Sequence, residues 1–347
     1  MPESPARDAS RLTIADVAKA AGVSRTTVSH ALNDRGQVDP RTRERVKQVA
    51  AQLGYRPNLR AQRLRTGRAN SIALVSSMPI SVAGGPSRLG FMMEVAGSAM
   101  EAALKQGLAL VLVPPLEAAD TLLDELDIDG AVVIEPAAED RNVAQLQRRG
   151  VQVVSIGRQP EGDEALPYID LQGHETGRIL LQHLAEQGAG QIALLIGTQP
   201  RHSYIDMERA YRAFAEARGM PVVIARADEA GGETAGQAAC RALLEQHPAI
   251  DGICAPVDAF AVGVVRQVQA QGLRVPEDIK VVTRYDGLRA QSCQPALTAV
   301  NLHLDEISTL AIDLLFEHIN GRVRRRVVVG PSPSLVARAS SVNPAGN

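Results

Sequence analysis

The 347-residue chain contains no tryptophan, and aromatic residues make up 3% of it. Its three cysteines, Cys240, Cys254 and Cys293, match neither a disulfide framework nor the ligand spacing of a zinc site. No run of eighteen apolar residues occurs, so the sequence predicts no transmembrane helix. The opening MPESPARDASR lacks the apolar centre of a signal peptide. We therefore expect a cytoplasmic protein that does not associate with membranes.

Motifs of the common enzyme classes are also missing. The sequence has no GxGxxG after an apolar run, no Walker loop, no HExxH and no GxSxG. The histidines of its longer C-terminal part stand singly, without a partner at the spacing of a nucleophile or a metal ligand: His174, His183, His202, His247, His303 and His318. The sequence thus predicts a protein that is not an enzyme and that needs no cofactor and no metal.

The net charge of −2 conceals an uneven distribution of charge. Residues 1–70 contain 14 Lys and Arg against 6 Asp and Glu, a net charge of +8. The remaining residues contain 23 against 33, a net charge of −10. A basic N-terminal segment on an acidic body indicates that this segment contacts a polyanion.

The stretch TIADVAKAAGVSRTTVSHALN, residues 13–33, contains two helix starts within twelve positions. Thr13 can cap a first helix, with Asp16 completing a capping box, and Gly22 can end it. Ser24 can cap a second helix. Two helices joined by a short glycine-containing turn are typical of a helix-turn-helix. The outer face of the second helix is then free to enter a major groove, and it carries Arg25, Thr26, Ser29 and His30.

A third helix is predicted directly after the second. Asp39 can cap it, Pro40 fits its first turn, and Gly54 can end it. Its apolar stripe consists of Val46, Val49, Ala50 and Leu53. Three short helices with an excess of positive charge predict a small DNA-binding domain.

These residues resemble a known family. TIADVAKAAGVSRTTVSHALN is similar, nearly position for position, to the N-terminal signature of the LacI/GalR family of bacterial transcription regulators. PRTRERVKQVAAQLGYRPNLRAQRLRTGR, residues 40–68, continues the similarity through the third helix into the family's hinge. The resemblance covers about 55 residues without a gap.

The resemblance implies which side chains meet DNA. It places Arg25, Thr26 and His30 where the family varies its base specificity, and an arginine can bind guanine in a bidentate manner. Many relatives carry Arg where this chain has His30, which indicates a different operator preference. For a further set of residues, phosphate contacts and helix capping remain alternatives: Thr13, Ser24, Thr27, Asn33, Thr42 and Arg43.

The segment after the third helix is the predicted hinge. Asn58 can cap the stretch LRAQRLR, whose two helical turns are too short to be stable alone, so we expect the hinge to fold on DNA. The resemblance places Leu64 where the family inserts an apolar wedge into the minor groove, and it adds Ala61 to the DNA contacts. Packing within a linker is the alternative role of Leu64.

From Ser71 onward, short apolar runs such as SIALVS, GAVVIEP and QIALLIG alternate with helical stretches. This alternation predicts parallel sheets covered by helices. The resemblance implies an α/β, two-lobed, periplasmic-binding-protein-like domain behind the small all-α helix-turn-helix and its hinge helix. The predicted domains are a disordered tail (1–11), the helix-turn-helix (12–56), the hinge and linker (57–70) and the two-lobed domain (71–347). Its first lobe takes about 71–168 and part of 299–330, and its second about 170–297 and the C-terminal segment.

The resemblance also places a small-molecule effector between the lobes, at the carboxyl ends of the strands. Candidate contacts are Phe91, Arg158, Tyr204, Asp258, Phe260 and Asp286, each of which can alternatively belong to the scaffold. The chain departs from the family at several other positions of the predicted effector site. Val257 replaces a usual Asn, Arg284 a customary Gly and Gly287 a frequent second Asp, and Met207 aligns with an effector-binding Arg.

Together these features predict a sequence-specific transcription regulator, most simply a repressor, controlled by a sugar or a related metabolite. One small domain contacts too few bases for tight binding, so we expect a homodimer on palindromic double-stranded DNA, with the first lobes at the interface. Two alternatives remain open from the sequence. One is a cytosolic small-molecule-binding protein, and the other is an enzyme with a DNA-binding domain.

Overall fold

The computed structural model describes residues 12–34, 36–55, 67–84, 91–113, 122–160, 166–321 and 325–342. The chain divides into two compact units, residues 1–68 and 69–347. The predicted N-terminal tail and most of the predicted hinge lie outside the described residues. No helix in the described ranges is long and apolar enough to cross a membrane.

The N-terminal unit contains three helices, α1 (Ile14–Ala21), α2 (Arg25–Leu32) and α3 (Pro40–Gln52). Their packed faces form one small core of apolar side chains, chiefly Val17, Ala18, Ala21, Val28, Ala31, Val46 and Ala50. Four of these seven residues are alanines, so the helices approach closely. The predicted helix-turn-helix is confirmed.

Local hydrogen bonds set the ends of these helices as the sequence predicts. The Asp16 carboxylate accepts from the backbone N–H of Thr13 at 2.8 Å, which is one half of the capping box. The turn after α1 passes through Gly22 at a φ of +64°, a conformation that costs glycine little. Ser24 caps α2 by accepting from the N–H of Thr27 at 3.0 Å.

The larger unit contains ten further α-helices within the described ranges. They are α4 (Ile80–Ala83), α5 (Phe91–Lys105), α6 (Leu122–Glu125), α7 (Arg141–Arg148), α8 (Gly173–Glu186), α9 (His202–Ala217), α10 (Gly232–Gln246), α11 (Asp258–Ala270), α12 (Leu288–Ser292) and α13 (Leu304–Asn320).

Its strands are β1 (Ser71–Ser76), β2 (Ala109–Val113), β3 (Gly130–Ile134), β4 (Gln152–Ile156), β5 (Tyr168–Asp170), β6 (Ile192–Gly197), β7 (Ile224–Ala227), β8 (Gly252–Cys254), β9 (Lys280–Val282), β10 (Ala299–Asn301), β11 (Val327–Val329) and β12 (Ser334–Val336). Strands β1, β3 and β6 are buried along their whole length, as expected of parallel strands covered by helices on both faces.

Two parallel sheets define two lobes. The first lobe is built on six strands in the order β11-β5-β4-β3-β1-β2, and the second on four in the order β7-β6-β8-β9. The predicted fold class, a small helical domain followed by two α/β lobes, is confirmed.

The chain crosses between the lobes near its C-terminal end. Helix α13 packs on the first lobe, against α5 and β4, and β11 adds the last strand to the first sheet. Strand β12 then pairs antiparallel with β10, and the Ser340 carbonyl accepts from the N–H of Val281 in β9 at 2.8 Å. The C-terminal segment is therefore fastened to the second lobe.

Candidate functional site

The exposed face of α2 is the first candidate site. Arg25, Thr26 and His30 are exposed, whereas Val28 and Ala31 on the opposite face are buried in the core. Ser29 is half-buried. The α2 face therefore presents a guanidinium, a hydroxyl and an imidazole, which are groups that can hydrogen-bond to base edges.

The residues predicted either to contact phosphates or to cap helices make contacts within the N-terminal unit. Ser24 and Asp39 cap α2 and α3, with Asp39 accepting from the N–H of Thr42 at 3.0 Å. The Asn33 amide donates to the Ser29 carbonyl at 2.6 Å. The Ser24 hydroxyl also bonds the Thr27 hydroxyl at 2.9 Å, so the capping role of Ser24 is present in the fold, and phosphate binding by these residues stays a prediction.

The turn between α2 and α3 brings a second group of polar side chains together. Arg43 lies 3.7 Å from the Asp34 carboxylate, and Lys47 lies 2.9 Å from it. The His30 ring lies against Gly36, where an added Cβ would be 2.7 Å from Nδ1. Gly36 thus makes room for the imidazole. The predicted hinge contacts Asn58, Ala61 and Leu64 lie outside the described residues.

The second candidate site is a cavity between the two lobes. Its volume is about 30 Å³, which holds one or two waters, so a larger ligand requires the lobes to separate. Most of its wall is apolar and comes from both lobes: Met78, Val82, Phe91, Val95, Ile134, Ile156, Leu171, Tyr204, Pro256, Val257, Tyr285, Leu302 and Leu304. Its charged wall residues are Glu135, Asp258 and Arg284.

Two aromatic rings form one side of this cavity. Phe91, at the start of α5, meets Tyr285 edge to face with ring centroids 6.0 Å apart. An added Cβ at Gly287 would be 2.2 Å from the Tyr285 ring. The family's frequent Asp at this position therefore does not fit beside Tyr285, which explains the departure.

Glu135 and Arg284 form an ion pair across the cavity. Glu135 directly follows β3 in the first lobe, and its carboxylate accepts from Nη2 of Arg284 in the second lobe at 2.7 Å. The exposed fractions of the two side chains are 4% and 12%. The other carboxylate oxygen accepts from the Ser203 hydroxyl at 2.6 Å.

A second ion pair, between Arg289 and Asp258, lies at the edge of the cavity. Nη1 of Arg289 donates to Oδ1 of Asp258 at 2.7 Å, and both side chains are buried. Burial raises the pKa of Asp258, and the Arg289 charge opposes that rise. Oδ2 of Asp258 has no hydrogen-bond partner within the described part of the chain.

Tyr204, on α9, contributes a buried hydroxyl to the same cavity. This hydroxyl also lacks a hydrogen-bond partner among the residues that the structure describes. Burial, followed by the nearby Glu229 carboxylate, raises the pKa of Tyr204 well above its ordinary value. The phenol therefore stays protonated and remains a donor for a ligand.

Only some of the predicted effector contacts line the cavity. Phe91, Tyr204 and Asp258 do. Arg158, which follows β4 and Gly157, is exposed and does not line the cavity. Phe260 is fully buried and lies away from the cavity wall, since α11 is covered on nearly all sides.

Asp286 also lies away from the cavity wall. Its carboxylate is 2.6 Å from Nη1 of Arg338 in the C-terminal segment. Met207, which aligns with an effector-binding Arg of the family, is fully buried beside Gly177, where an added Cβ would be 2.9 Å from the Met207 sulfur.

The list of predicted contacts omits Glu135, Arg284, Tyr285 and Arg201. A signal for Glu135 was present, because it directly follows the apolar run GAVVI and the carboxyl ends of parallel strands face the ligand crevice. From the sequence, Arg284 stands out only as a departure from the family's customary Gly. Its partner is 149 residues away in the sequence, beyond the reach of local patterns.

A wider groove of about 470 Å³, more polar than the cavity, lies on another side of the same crevice. It is lined by the segments that follow β1 and β3 in the first lobe and β6 and β7 in the second, including Ser77, Asp140, Gln199, Arg201 and Glu229. Arg201 and Glu229 form a buried ion pair at 3.2 Å. The crevice is therefore more polar at this groove than at the cavity.

Comparisons with known proteins agree with this architecture. Residues 13–58 match the family of bacterial regulatory proteins of the lacI type, and residues 181–341 match a periplasmic binding protein-like domain. The HTH-type transcriptional regulator CelR of Thermobifida fusca is 31% identical over 341 residues, which cover 95% of this chain and 98% of CelR. The ribose operon repressor of Halalkalibacterium halodurans is 29% identical over 88% of this chain and 90% of that protein.

Solved structures show the same similarity. A CelR–cellobiose complex covers 95% of this chain and 100% of its own, with 29% identity and a TM-score of 0.70. A lac repressor dimer bound to operator and the anti-inducer ONPF has a TM-score of 0.73 at 23% identity, covering 95% of this chain and 99% of its own. At 23% identity, the similarity to the lac repressor supports only the fold. With its capped helix-turn-helix, its two α/β lobes and its similarity to CelR over nearly the whole length, the chain belongs to the lacI family of DNA-binding transcriptional regulators, which are not enzymes.

Proposed function

We propose that the chain binds a palindromic operator as a homodimer and represses transcription from the cytoplasm. The exposed Arg25, Thr26 and His30 on α2 support this proposal, because their side chains carry groups that can hydrogen-bond to base edges. One helix reads only a few base pairs, so tight binding requires a second copy on a symmetric site. Family membership removes the enzyme alternative, and the α2 face argues against a protein that only binds small molecules.

The first lobe supplies a surface for the second copy. Helix α5 carries Met93, Met100 and Leu104, which are 47%, 52% and 63% exposed. Their spacing of seven and four residues places them on one stripe of the helix. An exposed apolar stripe on a regulator that needs two DNA-binding domains is best explained as a dimer interface.

A small molecule bound between the lobes controls operator affinity in this proposal. The Asp258 Oδ2 atom and the Tyr204 hydroxyl offer an acceptor and a donor beside apolar walls, a combination that suits a neutral, hydroxylated ligand. CelR, the relative with 31% identity, has been solved with cellobiose. We therefore propose a sugar or a related metabolite as effector.

The proposal is tested by fluorescence anisotropy on a palindromic operator, with cellobiose and other neutral mono- and disaccharides titrated into the complex. An effector should change the operator Kd by about fivefold or more. Tyr204→Phe should weaken that response while leaving ligand-independent operator binding intact.

Tyr211→Phe is the matched control. Tyr211 lies on the same helix, but its hydroxyl already donates to the Ile192 carbonyl at 2.8 Å. This variant should lose stability and keep the ligand response. An operator Kd that no compound changes, together with an unaltered melting temperature of the protein, would contradict effector control.

A further inference from the structure

Side chains of the second lobe converge on one residue of the first lobe, Glu135. Arg284 and Ser203 each donate to its carboxylate, at 2.7 and 2.6 Å. Arg201 donates to the Glu135 backbone carbonyl and, at 2.8 Å, to that of Ser77. Three side chains from one lobe thus hold both the carboxylate and the backbone of a single residue in the other.

A second set of contacts closes the crevice beside the first. Arg289 of the second lobe donates to the carbonyls of Ser81 and Val82 of the first, at 3.1 and 3.3 Å. The Ser81 hydroxyl donates in return to the Glu229 carbonyl at 2.6 Å. Asp258 holds the Arg289 guanidinium at 2.7 Å. Backbone carbonyls of the short helix α4 in one lobe are therefore paired with an arginine of the other.

The backbone of Glu135 is held in an uncommon conformation. Its φ is +50°, in the left-handed region that a side chain with a Cβ seldom adopts. Such a conformation persists where surrounding contacts determine it, and here the contacts to Arg201, Arg284 and Ser203 do so. The strain and the inter-lobe contacts coincide at the same residue.

We propose that the Arg284–Glu135 pair, supported by Arg201 and Arg289, latches the two lobes in the closed arrangement without any ligand. An effector then enters by displacing Arg284 from Glu135, so the chain's own guanidinium competes with the ligand for the centre of the crevice. The competition between Arg284 and an effector rests on the proposed function, because it requires an effector that binds in the crevice. The latch itself does not depend on that function.

Charge and burial give the latch its strength. The Glu135 and Arg284 side chains are 4% and 12% exposed, so water screens their attraction little. Removing one partner leaves the other as an uncompensated charge inside the crevice. Opening the lobes rehydrates that charge, and loss of either partner therefore favours the open arrangement. The customary Gly of the family at position 284 has no side chain to form this pair, so we attribute the latch to this chain.

Spin labels on the outer faces of the lobes test the latch. Gln147 on α7 and Glu216 on α9 are exposed, and both are replaced by cysteine for labelling. The native Cys240, Cys254 and Cys293 are buried and stay unlabelled. Electron–electron double resonance then measures the inter-lobe distance in the full-length protein after exhaustive dialysis, with labelled protomers mixed into an excess of unlabelled protein so that distances between protomers do not contribute.

The dialysed parent should give one distance, and both Arg284→Met and Glu135→Gln should add a second, longer one. Arg274→Met is the matched control, because Arg274 pairs with Asp278 at the surface within the second lobe, at 3.0 Å. It should leave the distance unchanged. Circular dichroism on each variant confirms that it is folded.

The latch is overturned if the dialysed parent already shows mainly the longer distance, or if folded Arg284→Met and Glu135→Gln both retain the parent's single distance. Operator anisotropy on the same samples separates this result from the proposed function. Failure of every protein to bind a selected operator contradicts the proposed function, while the distances still decide whether the latch exists.

Discussion

The Asp286 carboxylate lies 2.6 Å from Nη1 of Arg338, which joins the loop after β9 to the C-terminal segment. The same guanidinium donates to the Leu297 carbonyl at 3.0 Å, and the Arg338 backbone N–H donates to the Thr298 hydroxyl at 2.7 Å. Arg338 therefore fastens the end of the chain to the second lobe. The contact indicates that Asp286 has a structural role.

Asp286→Asn and Arg338→Met should each lower the free energy of unfolding, with a coupling between the two of about 1 kcal/mol. Urea denaturation of the two single variants and the double variant measures this coupling. Operator binding and its response to an effector should survive in Asp286→Asn. If Asp286→Asn keeps full stability but loses the effector response, Asp286 contacts the effector and its structural role is contradicted.

Replacement of Leu104 or Met100 by Glu should convert the proposed dimer to monomers, because the charge would be buried against the partner's apolar stripe. Sedimentation velocity measures the change in mass. The operator Kd should rise at least about tenfold, since a single DNA-binding domain contacts only one half-site. Leu273→Glu, on an exposed apolar residue of the second lobe, should leave the mass unchanged. Dimers that persist in the Leu104 and Met100 variants would place the interface elsewhere.

Arg25→Ala should weaken binding to the preferred operator by about 1–3 kcal/mol and relax selection at one base pair of each half-site. Its effect on random DNA should be small. Competition binding with a set of operators that differ at single positions measures both quantities. Lys19→Ala, on the exposed side of α1, is the control for loss of positive charge. An equal loss on every DNA would show that Arg25 contacts phosphates only.

His183 should make the stability of the larger unit depend on pH. Its ring is within 2.7 Å of the Ser341 hydroxyl, and burial lowers its pKa below the ordinary value of 6.5. The unfolded chain therefore takes up a proton at a higher pH than the folded chain. The contribution of His183 to the free energy of unfolding is therefore complete well above pH 6.5. It is lost as the pH falls below 6.5.

Denaturant midpoints of the parent and of His183→Gln, measured at several values between pH 8 and pH 5, test this dependence. The parent should lose stability more steeply than the variant as the pH falls through about 6.5. Parallel curves would assign the pH dependence to other groups.

The helical N-terminal unit could be predicted closely because its determinants are local. The caps formed by Ser24 and Asp39 lie three residues from the N–H groups that they accept from, and Gly22 marks the turn directly. The parallel sheets were also predictable, since buried strands such as β1 and β6 read as unbroken apolar runs.

The crevice could be predicted only in part. Helix α11 is buried on nearly all sides, so its pattern gives no sign that Asp258 lines the cavity while Phe260 does not. The partners of Arg284 and Arg338 are 149 and 52 positions away, and only the packed fold brings them together. Spacing along the chain carries no information about such pairs.

The most direct test of the central claim is selection of random DNA by the purified protein at fixed, near-physiological salt. We predict enrichment of a palindrome with a deformable central step, and we predict that Leu64→Ala weakens binding to that palindrome far more than to non-specific DNA. The selection is repeated with a metabolite mixture, so that operator binding is also detected if it requires a co-repressor. No enriched sequence under either condition would contradict the assignment of this chain as a sequence-specific repressor.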